Sequence, residues 1–134
     1  MHPEIKKILP QIEYWLSCKE VAEFKIGFTC DIDHREAEHK GNGYDKLYPI
    51  AFSANVQIVR QTETDLICYF KACQELSNKC NNNVAQAGTG DNCKKLNQLY
   101  YLYIVVKLNR ENITEAADTH VESLFFNDIQ LIQL

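Results

Sequence analysis

The sequence predicts one domain of the α/β (α+β) class: a small, mostly antiparallel central sheet of three to four strands flanked by helices. Three observations predict it. Residues 98–108, QLYYLYIVVKL, carry the strongest strand signal in the chain, dense in aromatic and β-branched residues, and read as a central strand. Residues 62–79, TETDLICYFKACQELSNK, place Leu66, Ile67, Phe70, Cys73 and Leu76 on one stripe at helical spacing. The 134 residues, 46% hydrophobic and 24% charged, suit one core, with no internal repeat and no linker that would divide them.

From the N-terminus, residues 3–9 predict a short helical lead-in ended by Pro10. QIEYWLS (11–17) is rich in aromatic and branched residues and predicts a strand, with CKEVAE as a hairpin connection and FKIGFT (24–29) as its partner strand. Gly27 inside that second strand signals close backbone approach or a bulge. A helix follows over IDHREAEHK, with Thr29 or Asp31 as cap and Gly41 as stop. GNGYDKLYP reads as a loop, and IAFSANVQIVR (50–60) as a strand with Ile50, Phe52, Ala54, Val56 and Ile58 alternating on one face. Thr62 is the expected cap of the helix over 62–79. Residues 80–94 read as a polar loop, and the segment from about 95 to 134 as an added C-terminal strand and helix.

Bulk properties exclude several classes. No apolar run approaches the roughly 18 residues of a membrane span, and the N-terminus lacks the apolar core of a signal peptide, so an intracellular, cytoplasmic protein is expected. The six cysteines contain no C-x-x-C pair; reduced, mostly buried thiols are expected rather than a disulfide framework or a zinc site on Cys68, Cys73, Cys80 and Cys93. The net charge of −4 argues against a broad nucleic-acid footprint but leaves room for a small basic groove. GTG (88–90) lacks the following G-K-[S/T] of a phosphate loop.

In chain order, IEY (12–14), KIG (25–27), Arg35 and an acidic residue early in the second helix carry what chemistry the sequence offers. This series resembles the GIY-YIG nuclease superfamily, in the branch whose second strand reads K-I-G after an aromatic. There a glycine closes the second strand and the catalytic arginine follows eight residues later on the first helix; Gly27 and Arg35 have that spacing. His39 stands where many members carry a histidine one turn further on, and Asn82 or Asn83 where the family has a late asparagine. The resemblance covers Ile12 to about Asn82, leaving the C-terminal extension without a counterpart.

The resemblance implies a metal-dependent endonuclease acting on DNA. Arg35 would grip the scissile phosphate with its planar guanidinium, and Glu63 would hold Mg²⁺ (or Mn²⁺) with waters completing the shell. Tyr14, Lys25 and His39 would orient or activate water. Two registers of the second helix are open: one makes Glu63 the ligand, the other puts Phe70 in its place and leaves none. The first motif keeps Tyr14 alone, and Lys25 stands where a tyrosine often assists as general base. Read without the family, Arg35 and His39 are a solvated helix face and Glu63 is a first-turn acid favoured by the helix dipole. Tyr14 is then a packed strand aromatic and LYYLYIVV simply a core strand. The alternative function is a catalytically degenerate scaffold that binds protein or nucleic acid, with SLFFNDIQLIQL as a partner or homodimer surface.

Overall fold

A computed structural model describes residues 1–84, 98–109 and 130–134. The expected loop is thus described only as far as residue 84, and most of the expected C-terminal extension lies outside the described residues.

The chain opens with one long helix, α1 (Pro3–Leu16), in place of the expected lead-in and strand. Pro3 sits in its first turn, where the missing N–H costs nothing, and the helix continues through Pro10. Ile5, Ile12, Trp15 and Leu16 are buried, with Ile8 and Leu9 packed beside them. That stripe recurs with helical period, and its burial outweighs both the strand propensity of QIEYWLS and the proline. The expected hairpin over 11–29 therefore does not exist.

Strand β1 (Val21–Thr29) contains the KIG motif, and α2 (Ile32–Gly41) follows as expected, with the Asp31 carboxylate accepting from the His34 N–H at 3.1 Å. Strand β2 (Lys46–Ser53) begins earlier than expected and ends where the alternating pattern was thought to run on. Its register with the central strand shifts between Pro49 and Ala51, a place where a proline's missing N–H is tolerated. Helix α3 (Val56–Ala72) takes over the second half of the expected strand: Asn55, not Thr62, caps it, by accepting from the Gln57 N–H at 3.0 Å. The Thr62 hydroxyl instead donates to the Ile58 carbonyl inside the helix. Of the predicted stripe, Leu66, Ile67, Phe70 and Leu76 are buried and Cys73 is half-buried.

Strand β3 (Tyr100–Leu108) is central, as its composition predicts, pairing antiparallel with β1 on one side and β2 on the other. The short strand β4 (Ile132–Gln133) adds in parallel beyond β2, giving the order β1-β3-β2-β4. The fold is the expected α+β arrangement, a four-stranded sheet with helices on its faces.

The two faces differ in chemistry. One is covered by α1 and α3, and its core joins Phe24, Ile26 and Phe28 to Leu102, Ile104 and Val106; each such side chain contributes about 1.5–3 kcal/mol on burial. The opposite face carries a small cluster of Tyr44, Leu47, Tyr103 and Val105, with Ile32 of α2 against it. Strand alternation puts Lys25 and Gly27 on this second face, across from Val105 and Tyr103.

The outer edge of β1 is closed by residues 79–82. Phe24 donates to the Lys79 carbonyl at 2.9 Å and Asn81 donates to the Phe24 carbonyl at 2.8 Å. The Asn82 side chain accepts from the Ile26 N–H at 2.7 Å and donates to its carbonyl at 2.8 Å. A side chain that mimics a neighbouring strand leaves no open edge there. Replacing it removes both bonds, so Asn82→Ala is expected to cost about 1–3 kcal/mol, measured as a lower midpoint in urea; an unchanged midpoint would contradict that role.

No helix among the described residues is long and apolar enough to cross a membrane. Cys18, Cys68, Cys73 and Cys80 are free thiols, but Cys30 is disulfide-bonded. The expectation of reduced thiols fails there, because cysteine spacing in a sequence does not reveal pairing.

Candidate functional site

The site forms where α2 crosses the second face of the sheet. Asp31 starts that helix two residues after β1 ends, so residues four apart overlook the strand. The His39 ring reaches the sheet: its Nε2 lies 2.8 Å from the Tyr103 hydroxyl, and the two rings meet edge to face with centroids 5.5 Å apart. Tyr44 closes a third side, its ring centroid 5.6 Å from that of the imidazole.

Gly27 makes the arrangement possible. Directly opposite Tyr103 in the register, it leaves space that the phenol fills; a Cβ there would stand 2.3 Å from the hydroxyl oxygen. The glycine thus serves close approach, one of the two roles the sequence suggested. Tyr103 is the functional candidate that sequence reasoning missed. It sits in the run read as a core strand, and only its pairing with a glycine would have singled it out.

Arg35 lies one turn before His39. Its side chain is 21% exposed, so it is not the solvated face that the bland reading supposed, and its Nη1 donates to Glu38 at 3.1 Å. The Glu38 carboxylate also meets His34 at 3.0 Å. Lys25 contributes its charge from β1, on the same face. Burial, then the positive charges of Lys25 and Arg35, hold His39 below the ordinary histidine range, with Glu38 opposing. The imidazole is therefore neutral at pH 7 and able to accept a proton.

Glu63 comes from α3, which covers the opposite face of the sheet, and is 5% exposed. What links it to the others is electrostatic and is felt at one hydroxyl. Burial raises the Tyr103 phenol well above its ordinary value, Glu63 and Glu38 raise it further, and Arg35 opposes them. Lys25 and Arg35 thus act on His39, and Arg35 and Glu63 on the Tyr103 phenol that it meets. Tyr14 does not join them: it stands on α1, 65% exposed, where its carbonyl accepts from the Ser17 hydroxyl. With no hairpin over 11–29, the first motif has no strand to place that tyrosine beside Lys25, and its expected catalytic position is corrected accordingly. Its surroundings are a surface hollow of about 280 Å³ that Glu13, Ser17 and Glu75 also line.

No known protein family, curated protein or solved structure matches the chain.

A divalent ion is the remaining expectation. Among the described residues no group of three or more His, Cys, Asp or Glu side chains is arranged to hold one. A lone carboxylate oxygen suits Mg²⁺ only where water can fill the rest of the shell, and Glu63 at 5% exposure does not offer that room. Glu63 is the residue to which the resemblance assigns the ion, and a bound ion would supply Lewis-acid stabilisation of phosphoryl oxygens.

Proposed function

We propose that this protein is a phosphodiester hydrolase of the endonuclease type, acting on DNA through the cluster around Tyr103. The observation that carries this reading is that Arg35, His39 and Glu63 converge on one buried hydroxyl opposite a glycine, with Lys25 acting on His39 from β1. Two cations suit an anionic backbone, and Arg35 has the fork geometry for two phosphate oxygens. Neutral His39 suits the uptake of a proton from attacking water. Stabilising the charge that develops on phosphate is the largest single contribution such a site can make.

The test is nicking of supercoiled plasmid in Mg²⁺. Wild type is expected to nick. Glu63→Gln, which keeps the shape but removes the charge, is expected to lose that activity while melting within a few degrees of wild type. A wild type that leaves plasmid intact with Mg²⁺ and with Mn²⁺ would sink the reading.

The second reading is a non-catalytic scaffold that binds a protein or nucleic-acid partner. Two observations favour it: Glu63 is nearly closed from solvent, and α3 covers the face opposite α2. A carboxylate so enclosed is suited to balancing buried positive charge. The plasmid experiment separates the two, since the scaffold predicts no cleavage in wild type.

A further inference from the structure

We propose that Tyr103 is the positioning residue of this site: its hydroxyl, seated in the space left by Gly27, holds the His39 ring by Nε2 and leaves Nδ1 as the one nitrogen for water, substrate or ligand. The proposal rests on the reading above only for what the held imidazole then does.

Three observations converge on it. The hydroxyl is 2.8 Å from Nε2, a full hydrogen-bond distance. The seat exists because residue 27 has no side chain, since a Cβ would lie 2.3 Å from the oxygen and 2.4 Å from the ring carbon bearing it. The imidazole is also gripped on two sides, by the rings of Tyr44 and Tyr103. A neutral imidazole has one donor and one acceptor nitrogen and a phenol can serve either, so engaging Nε2 fixes the ring's orientation and couples its tautomer to the direction of this one bond; proton uptake at Nδ1 requires Nε2–H to donate to the Tyr103 oxygen.

The charged and titratable groups around the pair come from every packed element. They are Lys25 from β1, Arg35 and Glu38 from α2, Tyr44 from the segment after α2, and Glu63 from α3 acting on the phenol. None of them replaces the hydroxyl, because it alone is hydrogen-bonded to the ring among the described residues. Holding is thus the distinctive work of Tyr103, and no spacing rule in the sequence reveals it.

The experiment is ¹⁵N NMR of the histidine side chains in the full chain at neutral pH, for wild type, Tyr103→Phe and Gly27→Ala. In wild type, His39 is expected to populate one tautomer strongly. Tyr103→Phe keeps the packed ring and removes only the oxygen; the tautomer ratio is expected to move about fivefold, the scale of one net hydrogen bond. Gly27→Ala is expected to do the same by evicting the hydroxyl. A His39 with no preference in wild type, or with an unchanged ratio in Tyr103→Phe, overturns the proposal. The readout does not use cleavage. A held imidazole in a protein that never nicks DNA would sink the nuclease reading and leave the pair standing; nicking with an unheld imidazole would do the reverse.

Discussion

Arg35→Ala is expected to lower plasmid cleavage on the order of 10²–10³-fold, the loss that follows removal of a donor aimed at developing charge. The side chain is largely buried, one turn before His39, and its charge opposes the rise of the Tyr103 phenol. Glu38, which it meets at 3.1 Å, is about half exposed, so that ion pair contributes about 1 kcal/mol or less to stability. Activity should therefore collapse while the melting temperature moves little. Arg35→Lys sharpens the point. It keeps the charge and loses the planar fork, so a value between wild type and Arg35→Ala is expected. Equal cleavage by wild type and Arg35→Ala would remove the arginine from the mechanism.

The second large effect is on stability. Gly27→Ala places a methyl group within contact-violating distance of the Tyr103 oxygen and ring, and that ring is buried among Tyr44, Leu47 and Val105. The phenol cannot swing away without repacking this small cluster, so a cost of about 1–3 kcal/mol is expected, read from chemical denaturation. The φ of Gly27 is not in the left-handed region, so space rather than backbone freedom sets the cost. Tyr103→Leu combined with Gly27→Ala should lose less than the sum of the two single changes, because the oxygen and the ring carbon that clash are both gone. Additive losses would contradict the steric account.

How much of this was legible in the sequence follows from which signals are local. The KIG strand, the turn into α2 at Asp31 and the shared face of Arg35 and His39 are properties of a short stretch, and all are found as expected. The central position of β3 was likewise written in its composition. Over the first seventeen residues the strand propensity of individual residues competes with the helical spacing of Ile5, Ile12, Trp15 and Leu16, and the spacing wins. Tyr14 leaves the site with the strand that would have carried it. The boundary between β2 and α3 slipped for a related reason: Val56 and Ile58 extend a strand alternation equally well as they begin a helix. Tyr103 was out of reach for a different reason. Its role depends on a register that pairs it with a glycine far away in the chain, and no local pattern encodes that pairing.

Cleavage of supercoiled plasmid by wild type, Arg35→Ala and Tyr14→Ala, run together in Mg²⁺ with folding checked by thermal melting, tests the central claim most directly. The account predicts nicking by wild type and Tyr14→Ala and its loss in Arg35→Ala, because the working residues surround Tyr103 and α1 only packs behind the sheet. No nicking by wild type, or nicking that depends on Tyr14 and not on Arg35, would contradict it.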